Sequence, residues 1–413
     1  MQHSTPAVPA RAVKRFRGRT RVVAVSVFLN FAGFTLIIPV LPFSVGRYVP
    51  AAEVASWVAI ILALYALCSF LSAPVLGAVS DRFGRRPVVL LSLLGSALGF
   101  AVFGVGGALW VLVAGRILEG LTAGSIAAMY AYVADSHRPA ERGAAFGTLG
   151  AAGGLGFLLG PLLGGVLGHV SLSAPLYGAA ALALCNAVLV QRYMPESHRP
   201  ARRAARLQWA QFNALGQLGN ALRERRMRTL FAIIFCFAFG GAVLQANLAI
   251  MLKDALGFDT AAIGLVLAGI GVMDMLSQGL VAPRLLPRFG AGRVATAGLV
   301  VNALGLATLA ILAVHPHLGL LAGGIALFTF GDGLFQPSAA TLVAAAAPEG
   351  RQGAVQGANQ AQQSIARMTG PLASAWLYGL TAGAPYGVAA MIVMLAAGAM
   401  YAHAGGQRMT GSN

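Results

Sequence analysis

"GAVSDRFGRRPV", residues 77–88, is a charged island in an apolar chain. Asp81, Arg82, Arg85 and Arg86 crowd together there, framed by Gly77, Gly84 and Pro87. On each side runs a stretch of about 20 nearly uncharged residues, enough to cross a bilayer core of about 30 Å as one helix. The charges cannot follow those stretches into hydrocarbon. The pattern is therefore a hairpin: two membrane helices turning at a charged surface loop. Helices are required because lipid offers no partners to backbone N–H and C=O groups.

The rest of the chain repeats this pattern. Its 413 residues are 58% hydrophobic and 10% charged, with a mean hydropathy of +0.75. Soluble domains carry about a quarter charged residues. The apolar runs predict twelve spans: 22–44, 55–76, 88–107, 109–134, 144–168, 174–193, 229–252, 261–283, 294–314, 318–346, 353–380 and 385–404. No short alternating segments of a membrane barrel are present.

A net charge of +17 would suggest nucleic acid in a soluble protein. Its placement argues for a membrane instead. Of the 29 Lys and Arg, only Arg47 and Lys253 fall on the outer side of the twelve spans, and only Arg116 and Arg367 fall within them away from the ends, Arg192 standing at the inner end of the sixth. This is the positive-inside asymmetry. It places both termini in the cytoplasm and leaves nucleic acid out as a partner. The lipid bilayer is the partner that remains. Cys68, Cys185 and Cys236 lie in apolar spans and read as packing residues. The apolar run after residue 21 is too long for a signal-peptide core, so it reads as a retained first helix.

The expected organisation is a basic tail (1–21), a six-helix bundle (22–193), a basic linker (194–228), a second six-helix bundle (229–404) and a short tail (405–413). In the linker, Trp209, Phe212, Leu215 and Leu222 share one face of a possible helix. The segment reads equally as an amphipathic helix on anionic lipid and as a basic stretch without fixed structure. The two halves resemble each other. "RGAAFGTLGAAGGLGFLLGPLLGG" from Arg142 and "QGAVQGANQAQQSIARMTGPLASA" from Gln352 each place Gly-Pro-Leu at the same distance beyond the first Gly. "DRFGRR" at 81–86 is echoed by "PRFGAG" at 287–292. Repeated bundles of this size mark transporters, with a cavity at the interface of the repeats.

Ionisable groups within spans are the best pointers to function, since each costs about 2.5–3.5 kcal/mol at a helix centre. They are Arg116, Glu119, Asp274, Asp332 and Arg367. Arg116 and Glu119 are three apart and share a helix face. Asp274 and Asp332 sit mid-span in "GIGVMDMLSQG" and "FTFGDGLFQP". Carboxyl groups held away from water suit the loading and release of protons, and Asp274, Asp332 and Glu119 are the candidates. Gln356, Asn359, Gln360, Gln363 and Arg367 recur at intervals of three and four, forming one polar stripe on the eleventh span. Such a stripe faces a cavity, not lipid. Asn30 and Gln336 complete the expected lining. Arg367 either binds an anionic group of the cargo or pairs with Asp332 or Asp274; a permanent structural pair is the third possibility.

The loop at 77–88 resembles the signature loop of the major facilitator superfamily. "GRILEGLTAG", 115–124, with Arg116 and Gly120, is similar to that family's fourth-helix pattern. "GFLLGPLLGG", 156–165, with Gly156, Gly160, Pro161, Gly164 and Gly165, is similar to the fifth-helix pattern of its exporters. With "GFTLIIPVLP", 33–42, these resemble the drug/proton antiporter group, and most of all the tetracycline/proton antiporters. The resemblance implies an all-α fold of two pseudo-symmetric six-helix bundles. It implies an inner gate of Gly77, Asp81, Arg82, Gly84, Arg85, Arg86 and Asp135 that latches the halves together. It also implies proton-coupled export of a small organic molecule across a bacterial inner membrane, by a monomer using the proton gradient and no cofactor. Departures are Asn30, Gly99 and Asn302, which stand where tetracycline exporters carry acids, and Asp274, which stands where they carry histidine. Arg367 has no counterpart in them. The alternatives are a dedicated exporter of an anionic or zwitterionic metabolite, such as a siderophore or antibiotic, and an uptake symporter. An enzyme is not expected: no nucleotide loop, metal cluster or activated nucleophile is legible.

Overall fold

A computed structural model describes residues 10–137, 139–197, 219, 225–346 and 352–410. Helix is the only regular structure among the described residues. In chain order the helices are α1 (Ala10–Thr35), α2 (Val54–Phe83), α3 (Arg85–Val105), α4 (Leu109–Ser136), α5 (Pro139–Val170) and α6 (Ala174–Tyr193). The second half comprises α7 (Arg225–Leu256), α8 (Thr260–Phe289), α9 (Ala291–Val314), α10 (Leu318–Ala346), α11 (Gln352–Leu380) and α12 (Ala384–Thr410). Ten of these are long and apolar enough to cross a membrane. The apolar part of α1, Thr20–Thr35, is shorter, but helical hydrogen bonds continue its path through Leu41–Val45. The twelfth is α11, whose apolar character the polar stripe dilutes. The chain is a multi-pass, all-α membrane protein.

Helix α1 begins at Ala10, inside the segment expected to be a tail. The Arg and Lys residues there are good helix formers and carry the helix past the apolar span. Helix α12 likewise extends to Thr410. The stretch read as a possible amphipathic helix lies outside the described residues, apart from Gly219.

Two cores correspond to the two halves. One joins α1, α3, α4 and α6 through Val27, Leu93, Met129 and Val190. The other joins α7, α9, α10 and α12 through Phe231, Leu299, Phe335 and Val393. The halves meet along two seams, α5 on α8 and α2 on α11. Since α5 corresponds to α11 and α2 to α8 in the repeat, the seams are related by the same pseudo-symmetry.

Gly84 (φ +113°) breaks the chain between α2 and α3, and Gly290 (φ +80°) breaks it between α8 and α9. Both angles favour glycine. The weak sequence echo of 81–86 in 287–292 is thus a conformational one.

Consecutive helices alternate in direction, so Asp81, Arg85 and Asp135 share one end of the bundle, here termed the basic end. At the opposite end the halves are in tight contact. Thr260 Oγ1 donates to the Gly165 carbonyl at 3.1 Å. Gly264 lies so close to α5 that a Cβ there would meet the Pro161 carbonyl at 2.5 Å. The His169 imidazole lies 3.3 Å from the Asp259 carboxylate, and the Lys253 ammonium sits 5.2 Å from the centre of the Phe43 ring. Ile250 and Tyr378 of the second half pack with Val40, Val54 and Val58 of the first.

Candidate functional site: a polar cavity between the halves

The central cavity has a volume of about 680 Å³, within the usual range for organic ligands. Asn30, Glu119, Asp274, Asp332, Gln336, Asn359, Gln363 and Arg367 all line it. The backbones of Gln356 and Gln360 continue the same helix, but their side chains lie outside the described residues. Much of the remaining wall is aromatic and apolar, including Phe34, Phe157, Phe237, Phe328 and Phe335.

Asp274 on α8 and Asp332 on α10 are neighbours in the wall of the cavity. Gln278 Nε2 donates to both Asp274 oxygens at 2.9 Å, and Gln336 lies one turn beyond Asp332 on α10. Local structure accounts for the pairing. Immediately after Asp274, α8 widens into a π-helical turn, Ser277–Val281. Ser277 is buried against Gly333, where no side chain would fit. The close crossing holds Asp332 beside Asp274. Two carboxyl groups placed this close disfavour a double negative charge, which suits the site to holding a proton.

On α4, Arg116 Nη1 donates to Glu119 Oε2 at 2.6 Å, and both side chains are almost fully buried. The guanidinium stands 5.8 Å from the Tyr65 ring centre and 5.5 Å from that of Phe103. Gly120 lets α4 approach the Tyr65 backbone, where a Cβ would meet its carbonyl at 2.7 Å. Tyr65 in turn packs on Phe34, ring centres 5.4 Å apart. Asn30 donates to Ser125 Oγ at 2.9 Å.

Arg367 opens into the cavity from the middle of α11. Among the described residues it forms an ion pair with neither Asp274, which accepts from Gln278, nor Asp332.

At the basic end, Arg85 bridges Asp81 (2.5 Å) and Asp135 (2.9 Å) and donates to Ser80 Oγ at 3.1 Å. Burial lowers the proton affinity of the Arg85 guanidinium, and the bonds to Asp135 and Asp81 more than offset this, leaving its pKa above the ordinary value. The Glu196 carboxylate caps the start of α3, accepting from the backbone N–H of Arg85 (3.0 Å) and of Arg86 (3.1 Å). Arg86 also bonds the Gln191 carbonyl, and Arg82 lies over the Phe83 ring. Gly77 sits on α2 in open space. These bonds tie α2, α3, α4 and the end of α6 together within the first half. The halves are latched in this conformation at the opposite end.

In α5, Gly156, Gly160 and Gly164 press against α1, and Thr35 Oγ1 reaches the Gly156 carbonyl at 3.3 Å. Gly165 and Pro161 face α8. One short motif therefore serves two contacts, one within a half and one between halves.

Sequence reasoning missed Tyr65, Gln245 and Ser125 in the cavity and Glu196 at the basic end. The first three are isolated polar groups in apolar runs and leave no periodic signal. Glu196 follows a span as one charge in a polar stretch.

Two pseudo-symmetric helical bundles around a polar, membrane-embedded cavity define a secondary transporter. The chain belongs to the Major Facilitator Superfamily, whose family model matches residues 23–371. It is 36% identical over 368 residues to the tetracycline resistance protein, class C, of Escherichia coli, covering 89% of this chain and 91% of that one. It is 30% identical over 371 residues to the class B protein of Escherichia coli, covering 87% and 88%. Among solved structures, the human organic anion transporter MFSD10 (TETRAN) superposes with a TM-score of 0.73 at 24% identity, covering 93% of this chain and 99% of that one. The nucleoside transporter NupG superposes with a TM-score of 0.72 at 15% identity, covering 93% and 98%.

Proposed function

We propose that this transporter exports a small organic molecule in exchange for protons, by alternating access to the central cavity. The observation that carries the reading is the Asp274–Asp332 pair in the cavity wall. Paired carboxyl groups in a cavity wall suit the loading and release of a proton, and Glu119 is a further carboxyl lining the same space. Cargo and proton then compete for one cavity, which is what antiport requires. Relatives are named for tetracycline resistance and for organic anion transport; both names concern small organic molecules.

The basic end faces the cytoplasm of a bacterial inner membrane in this reading, as the positive-inside asymmetry directs. The tight seam at the far end then makes the described conformation the inward-facing one. Asp81, Arg85 and Asp135 act on the second half when the basic end closes, and Glu196 holds the loop in position for that step. One chain carries the whole cavity, so the monomer suffices.

The test is proton movement in everted membrane vesicles energised by respiration. Tetracycline is the first cargo, with Asp274→Asn and Asp332→Asn alongside. The expected result is a collapse of the pH gradient on tetracycline addition that both variants lose. Tetracycline release unaffected by an imposed pH gradient would overturn the coupling.

A further inference from the structure

The guanidinium of Arg367 lacks a counter-charge among the described residues. None of the acids lining the cavity pairs with it: Glu119 is taken by Arg116, Asp274 accepts from Gln278, and Asp332 makes no ion pair with Arg367. An uncompensated charge deep in a membrane protein is costly. It is retained where its partner comes and goes. Tyr65, on α2, and Arg367, on α11, line the same cavity. The two residues belong to opposite halves and flank the α2–α11 seam. Gln363, one turn before Arg367, adds an amide on the same face. Phe34, Phe237 and Phe335 supply flat apolar wall nearby, with the Phe237 and Phe335 rings 4.3 Å apart.

We propose that the cargo is an organic anion, its carboxylate or equivalent oxyanion held between Arg367 of one half and Tyr65 of the other. The inference rests on the transport reading above and adds the class of molecule carried. It also fixes the charge moved. One monoanion leaving for one proton entering shifts two elementary charges per cycle, against one for a neutral or zwitterionic cargo. Membrane potential alone, without a pH gradient, should therefore drive the cycle.

The binding test uses the purified full-length chain in detergent, with thermal unfolding as the readout. The probes are 1-naphthoate, 1-naphthamide and 1-naphthylmethylamine, which share a flat body and differ in charge, with acetate and benzoate as smaller carboxylates. A saturable rise in unfolding temperature with naphthoate is expected, and none with the amide or the amine. Arg367→Gln should abolish it. Arg367→Lys, which keeps the charge but loses the planar fork, should weaken it by about tenfold. Tyr65→Phe should weaken it several-fold. The proposal is overturned if amide or amine stabilises as well as naphthoate, if Arg367→Gln retains the response, or if no carboxylate of any size stabilises the protein. If Arg367→Gln does not fold, the probe series and the lysine variant still decide. Proteoliposomes with an imposed potassium potential separate this inference from the one beneath it. Naphthoate that binds but never moves would leave the anion site and remove the transport coupling; cations carried as readily as anions would do the reverse.

Discussion

Gly84 is where one residue answers to two constraints. Its φ of +113° lies in a region few side chains tolerate, and a Cβ there would collide with the Glu196 carboxylate. Gly290, its counterpart in the second half, has the positive φ but open space around it. Gly84→Ala should therefore destabilise the protein by about 2–3 kcal/mol and Gly290→Ala by less, about 1–2 kcal/mol. Unfolding temperatures of the two variants in detergent check the ranking, and equal losses would mean that Glu196 does not occupy that space in the membrane. Glu196→Gln removes the charge from the cap and should cost about 1 kcal/mol, the half-exposed position limiting the effect.

Helix α8 owes its role to a change of pitch. The π-turn at Ser277–Val281 brings Ser277 onto Gly333, and that contact sets Asp332 beside Asp274. Gly333→Ala should force the helices apart and abolish proton-coupled transport while the protein still inserts and folds; full coupling in that variant would dissociate the pair from the crossing. At the closed seam, Gly264→Leu should hold α8 off α5. A Gln245→Cys reporter, made without the native cysteines, should then react several-fold faster with an impermeant thiol reagent applied from that side. Unchanged reactivity would show that α5 and α8 do not form the barrier. Here lies the boundary of what the sequence discloses. Periodicity places Asp274 and Asp332 mid-span and lines up Asn359, Gln363 and Arg367 on one face, because helical geometry is regular. It leaves open whether Arg367 meets cargo or either aspartate, because nothing in the residue pattern marks the π-turn that sets the two acids beside each other. Tyr65 was invisible for a different reason: a lone tyrosine in a span is ordinary, and only the seam gives it a facing arginine.

The whole molecule is two copies of one plan with unequal chemistry. Apolar runs and the distribution of basic residues made the twelve helices and the two halves legible, since lipid imposes both. Single cysteines can check the orientation. In intact cells Arg47→Cys should react with an impermeant thiol reagent, and Arg293→Cys should react only once the membrane is opened. Reaction of both from outside would invert or break the proposed topology. The asymmetry between the halves is chemical. The loop at 81–86 carries Asp81 and Arg85, the latter binding Asp135 of α4 in one cluster, while 287–292 keeps the glycine turn without an acid. The first half thus holds the charged cluster of the basic end, and the second holds the carboxyl pair and Arg367.

The polar stripe of α11 also bears on how the protein is made. A segment carrying Gln356, Asn359, Gln360, Gln363 and Arg367 partitions poorly from the translocon into lipid on its own. Its apolar back packs on α7 and α2, which are synthesised earlier. Helix α11 is therefore a span whose integration depends on helices already in place, and the same polar stripe that faces the cavity delays its commitment to the bilayer.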